Sequence, residues 1–219
     1  MIFSEKTLGV LKNFSSINGG ILFRQGNTLR TVSPQKTIMA KAEIDETMER
    51  DFAIFELPRF LGAMSLFENP EVDFGEVAAT IKSGKQKLVY AYADAATITV
   101  APAKDISFPV PEVMFNMKSV DFLKVQRAGH VMGLPEIAVT GDGSSIYLKA
   151  VDSKNPTSDA FVIEVGETDK TFNAIFKSEN LKMIHNDYDV SISSKGIAKF
   201  DVSKLTYWVA TEATSKFGE

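Results

Sequence analysis

AIFELPRFLGAMSL, residues 53–66, reads as an apolar extended tripeptide, a short polar turn and an amphipathic run. The chain uses this pattern twice, because residues 174–185 read AIFKSENLKMIH. Ala53, Ile54 and Phe55 match Ala174, Ile175 and Phe176 at an offset of 121, which also sets Phe60 on Leu181 and Ala63 on Ile184. LVYAYA at 88–93 returns as LTYWVA at 205–210, an offset of 117 that a small loop difference absorbs. A recurrence at that distance implies two copies of one domain-sized unit.

The flanks carry the same order. Ser4 is an N-cap, Glu5 lies where the helix dipole favours an acid, and Leu8, Leu11 and Phe14 lie one turn apart, so a helix spans 3–14. Strands follow at about 20–24, 28–33 and 37–44, with Gln25-Gly26-Asn27 as a hairpin turn between the first two. Strand 50–55 leads into a helix at 57–66, started by Pro58 and broken at Asn69-Pro70. Strands at 71–74, 77–82, 87–93 and 97–100 complete the first half. Residues 101–112, APAKDISFPVPE, hold three prolines and suit an extended connector. Beyond it come a helix at 118–130, strands at 136–140 and 145–151 joined by Gly141-Asp142-Gly143-Ser144, strands at 159–165 and 171–176, a helix at 177–186, and three last strands. The reading is α+β: two similar domains of antiparallel sheets with two helices each, 1–100 and 113–219, joined by 101–112.

The 219 residues can bury a substantial core, and with 44% hydrophobic and 24% charged residues the composition is that of a globular protein. No cysteine is present, which excludes disulfides, thiolate metal sites and cysteine nucleophiles. The start, MIFSEKTLGVL, lacks the form of a signal peptide, and no apolar run reaches the roughly 18 residues of a membrane span, so no membrane partner is expected.

The net charge of −4 argues against a nucleic-acid partner until its distribution is read. The four helical segments hold Lys6, Lys12, Arg59, Lys118, Lys124, Arg127, Lys177 and Lys182 against Glu5, Asp121 and Glu179. Eight cations against three acids is a net +5, which leaves −9 for the rest. Lysine and arginine also form helices well, and a basic solvated face is common, so the segregation alone does not name a ligand. The cations are irregularly spaced and no aromatic stacking platform accompanies them. Contacts to DNA would therefore go to phosphates, independent of sequence and steeply salt-dependent.

No catalytic constellation stands out, and the chain reads as a non-enzyme with no metal site and no cofactor. His130 and His185 fall at helix ends, where capping or surface roles suit them. Gly84-Lys85 lacks the upstream glycine of a phosphate loop, and Asp187-x-Asp189 lacks the later glycine and glutamate of a calcium loop.

Four stretches carry a resemblance: LKNFSSINGGI (11–21), DFAIFELPRFLGAMSL (51–66), VAPAKDISFPV (100–110) and AKFDVSKLTYWVATEA (198–213). The chain resembles the trimeric DNA sliding clamps of T-even-type bacteriophages, the processivity factors of the phage replicative polymerase. The resemblance covers nearly the whole chain. It implies a head-to-tail homotrimeric ring that encircles double-stranded DNA, tethers the DNA polymerase, and is opened and closed by an ATP-driven clamp loader. It also implies a cytoplasmic location in the infected bacterial host and, in similar clamps, service to late-transcription factors. On this reading the eight cations line the hole, most firmly Lys12 and Arg59 in the matched runs. Ile106, Phe108 and Val110 of the connector are candidates for the pocket that takes a partner's peptide, or else pack on their own sheets. Ring closure needs edge strands, for which 88–100 and 159–165 are the expected choices. Two other classes compete on the residues alone. One is a β-rich structural or adhesion module of a virion; the other is an enzyme on a duplicated α+β fold.

Overall fold

The computed structural model describes residues 1–155 and 157–218. The chain divides into two compact units, Met1–Asp105 and a second that begins at Ile106.

In the first unit, α1 (Glu5–Ile17) buries Thr7, Val10, Leu11, Phe14 and Ile17, the one-sided stripe of a helix laid on a sheet. Its stripe is shifted from the sequence reading, with Leu8 only half-buried. The Ser4 side chain accepts from the Thr7 amide at 3.2 Å, and Glu46 accepts from the Thr7 hydroxyl and the Ser4 amide at 2.5 Å each. Partial burial works to raise the Glu46 carboxyl, but these hydrogen bonds outweigh it and hold the group below its ordinary value.

Next come β1 (Ile21–Phe23), β2 (Gly26–Val32), β3 (Ile38–Met48) and β4 (Phe52–Ile54). The pairs are β1 with β4 and β2 with β3, so Gln25-Gly26-Asn27 is not the hairpin expected between the first two strands. Gly26 has φ +108° and opens β2 after the chain leaves β1. The hairpin instead closes between β2 and β3, where the Ser33 amide donates to Ile38 and Lys36 takes φ +59°.

Pro58 starts α2 (Leu57–Met64), which buries Leu57, Phe60 and Met64. The meander β5 (Glu71–Phe74), β6 (Ala78–Ser83) and β7 (Gln86–Ala91) follows, with β5 and β7 as its edges. Phe52 stacks with Phe23, Phe74 and Tyr92 at centroid distances of 4.6, 4.7 and 4.8 Å, a continuous aromatic core. Residues 97–100, read as a strand, are not one: Ala95–Thr97 forms a 3₁₀ turn capped by Asp94, and the chain stays irregular to 112.

The second unit opens with β8 (Val113–Met117), which the sequence reading missed, and α3 (Ser119–Met132). Then come β9 (Glu136–Asp142), β10 (Ser145–Val151), β11 (Phe161–Glu167) and β12 (Thr171–Lys177). Last are β13 (Tyr188–Ser193), β14 (Ile197–Val202), β15 (Leu205–Ala210) and β16 (Lys216–Phe217). One sheet has the order β11–β10–β9–β12–β16, and β15–β14–β13–β8 lie side by side. α3 packs Phe122, Val125 and Gly129 on the first sheet, where the ideal Cβ of Gly129 would lie 3.5 Å from the Ala150 methyl. Gly133 closes α3 at φ +66°, and the Leu134 amide reaches back to Gly129 at 2.8 Å.

The helix expected at 177–186 is absent. Ser178–Asn180 make one 3₁₀ turn, and the rest is irregular up to β13. α2 has a proline start and apolar residues at Leu57, Phe60 and Met64. Its counterpart has no proline at its start, and it buries Leu181 and Met183 with exposed Lys182 between them. Burial at every second residue is the period of extended chain. The second unit therefore carries one α-helix among the described residues, not two.

Candidate nucleic-acid interface

On α1 the exposed line is Glu5, Gly9, Lys12 and Ser16, with Lys6 beside it. Neither lysine has an ion pair among the described residues, so both amines are available to an external anion. α2 touches α1 and presents Arg59, whose side chain is 75% exposed and pairs with Glu56 at 3.2 Å. Arg59 also borders a shallow groove with Phe55, Val89 and Tyr90, beside edge strand β7.

On α3 the exposed line is Val120, Lys124, Arg127 and Val131, spaced by four, three and four residues and so on one face. Lys124 lies 3.9 Å from Asp121 across one turn, while Arg127 has no ion pair among the described residues. Lys118 stands just before the helix and pairs with Asp187 at 3.0 Å.

The segment that replaced the expected helix lies along α3. Gln126 Nε2 donates to the Leu181 carbonyl at 3.2 Å, and Asp187 Oδ1 accepts the Ser119 amide at 2.8 Å. These ties hold the 181–187 segment, with its exposed Lys182 and His185, to the helix that carries Lys124 and Arg127 and follows Lys118. Lys177 is on the last residue of β12, exposed, paired in register with Glu136. Lys177 and Lys182 are therefore not helical, and Lys118 is the cap. The helices proper hold Lys6, Lys12, Arg59, Lys124 and Arg127 against Glu5 and Asp121, five cations against two acids, net +3 rather than +5.

Sequence reasoning missed Gln126 and Asp187. Asp187 belongs to the Asp187-x-Asp189 pair that resembles the start of a calcium loop, but its work is to cap α3. The Ser119 amide is the first cause holding its carboxyl below the ordinary value, followed by Lys118. Among the described residues no group of three or more His, Asp and Glu is placed to hold a metal ion. Nor is any helix among them long and apolar enough to cross a membrane.

In the connector, Asp105 accepts from Arg30 at 2.6 Å and Lys41 at 2.9 Å, tying that end to β2 and β3. Glu112 accepts the Ser194 amide at 2.8 Å and its hydroxyl at 2.6 Å, tying the other end to the second unit. Between these anchors Ile106 and Phe108 are half-buried and Val110 is 85% exposed.

Residues 4–100 match the family described as DNA polymerase processivity factor, and residues 114–213 match gp45 sliding clamp, C terminal. The chain is 36% identical to the sliding clamp of Vibrio phage KVP40, over 97% of this chain and 100% of that one. It is 31% identical to the sliding clamp of Enterobacteria phage T4, over 98% of each. The fold superposes on A. fulgidus PCNA, solved with the C-terminal region of FEN-1 bound, at a TM-score of 0.72 with 13% identity and 98% of each chain covered. With its antiparallel sheets and its helices bearing outward-facing cations, the chain belongs to the sliding-clamp family of DNA polymerase processivity factors.

Proposed function

We propose that three copies close head to tail into a ring of about 72 kDa, three times the 24.0 kDa chain, which encircles duplex DNA and tethers the replicative polymerase. The observation that supports this is the tie between the 181–187 segment, which bears exposed Lys182, and α3, which bears exposed Lys124 and Arg127 and is preceded by Lys118. Lys6, Lys12 and Arg59 extend the lining from the first unit, and Lys177 is a further member. The uneven spacing suits a channel that holds phosphates without one preferred register.

Two edge strands support ring closure. β7 and β11 each end a sheet, and their surroundings are of opposite charge. Lys82, Lys85 and Lys87 are exposed on the β6–β7 hairpin; Asp159, Glu164, Glu167 and Asp169 are exposed on and beside β11. Pairing β7 of one copy with β11 of the next removes two open edges at once.

The domains are 1–100 and 113–219, with 101–112 as connector, supported by family matches that stop at 100 and resume at 114. Ile106, Phe108 and Val110 offer the apolar contact for a polymerase peptide, because the connector is anchored at both ends and open between. An ATP-driven loader places the ring, late-transcription factors are further partners, and the setting is the cytoplasm of the infected bacterium. The protein is a scaffold, not an enzyme. Nothing in the fold or among the relatives favours a virion component. The test is primer extension by the cognate polymerase on a circular template, with and without this protein and its loader. Longer products are expected; unchanged product length at every salt concentration overturns the proposal.

A further inference from the structure

The segment between Leu181 and Asp187 has no helix or strand to hold it, yet it is tied at several points. Two ties converge on one residue. The Ile184 amide donates to the Tyr207 hydroxyl at 3.2 Å, and the Tyr188 hydroxyl donates to the Ile184 carbonyl at 2.5 Å. Both tyrosines are fully buried, and their rings meet edge to face at 6.1 Å. Burial raises both hydroxyls, Tyr188 most, so they stay protonated and keep this hydrogen-bonding pattern. The other ties are Gln126 to the Leu181 carbonyl and Asp187 to the start of α3.

We infer that Tyr188 and Tyr207 are positioning residues that hold 181–187 as a fixed loop in place of a helix, so that Lys182 is presented to the DNA backbone alongside Lys124 and Arg127. The inference rests on the DNA-lining reading above. Its physical basis is entropic. A lysine on a mobile loop must lose backbone freedom when it meets a phosphate, and a loop ordered in advance has already lost it. Both backbone groups of Ile184 are satisfied by side chains of β13 and the β15 strand, so the sheet itself sets where Lys182 stands.

The test uses the full chain carrying Tyr188→Phe, Tyr207→Phe or both, with Lys182→Ala as reference. Each phenylalanine keeps the ring and removes only the hydroxyl. Two quantities are read: exchange of the Ile184 amide, and the salt dependence of binding to a short mixed-sequence duplex. Lys182→Ala should lower the salt slope by about 1, the effect of one phosphate contact. The double variant should do the same, with Ile184 exchange accelerated about tenfold, and adding Lys182→Ala to it should change nothing more. If Lys182→Ala lowers the slope and the double variant leaves it unchanged, the positioning role is wrong and the DNA face stands. If Lys182→Ala has no effect while Arg127→Ala does, the loop is not a contact and the inference falls. If neither acts, the DNA-lining reading falls and takes the inference with it. Should the double variant lose its fold, Tyr207→Phe alone is read against the same outcomes.

Discussion

Asp187 accepts the backbone amide of Ser119 at 2.8 Å, so the start of α3 is capped by a residue 68 positions later in the chain. Lys118, the residue before the helix, cannot cap by itself and instead pairs with the same carboxylate at 3.0 Å. Asp187→Ala should lower the urea midpoint with unchanged m, and Asp187→Asn should recover most of it. The carboxyl is held below its ordinary value of 3.8, so its contribution is complete above that pH and is lost as pH falls through the lower folded value. A urea series between neutral and acid pH checks the sign: the difference between Asp187→Ala and the parent should shrink on acidification.

Glu46 does the corresponding work at α1, through Thr7 and Ser4. Glu46→Gln should cost about 1–2 kcal/mol at neutral pH, the lower part of the range for hydrogen bonds to a charged group because the site is only partly buried. Its carboxyl is also depressed, from 4.5, so this stability too is present above that value and disappears on acidification. Equal costs at neutral and strongly acid pH would contradict the assignment.

Two glycines should rank in a definite order. Gly133→Ala forces a left-handed φ of +66° on an alanine and should cost roughly 1–2 kcal/mol. Gly141→Ala places a methyl 2.4 Å from the Phe172 ring and 2.5 Å from the Lys170 carbonyl, inside the β9–β12 pairing. Backbone on one side and a buried ring on the other cannot both yield, so Gly141→Ala should cost more, about 2–3 kcal/mol or beyond. Thermal or urea unfolding of the two variants decides the order.

The cations of the proposed lining should be unequal. Among the described residues Arg127 has no ion pair, whereas Lys124 faces Asp121 and Arg59 faces Glu56. Arg127→Ala should therefore weaken retention on a nicked circle more than Lys124→Ala or Arg59→Ala, by a difference of order 1 kcal/mol or less for exposed pairs. The double change of Lys124 and Arg127 to Glu should abolish retention while the trimer mass in light scattering stays unchanged.

Ring closure can be tested by exchanging charge. Lys85→Glu with Lys87→Glu should shift the protein from trimer toward monomer in sedimentation, most strongly at low salt. Adding Glu164→Lys and Glu167→Lys to the same chain should restore the trimer. A trimer indifferent to the first pair of changes would remove this edge from the interface.

Local pattern made much of this protein legible. Ser4 at the start of α1, Pro58 at the start of α2 and the Gly-Asp-Gly-Ser turn between β9 and β10 each carry their structure within a few residues. The recurrence of Ala-Ile-Phe announced the doubled unit and, with the flanking stretches, the family. What the sequence by itself could not decide is what each repeated letter does. Phe55 is 56% exposed and Phe176 is 1% exposed, although both close the same tripeptide. After the first copy the chain enters a helix, whereas after the second it makes one 3₁₀ turn and runs on irregularly, tied to α3. Gln126, Tyr188, Tyr207 and Asp187 supply that difference. They lie tens of residues apart in some pairs, and their hydrogen bonds exist only once the sheets have brought them together. A helix must satisfy its backbone locally, whereas this segment borrows partners from neighbouring elements, and tertiary packing alone determines that choice.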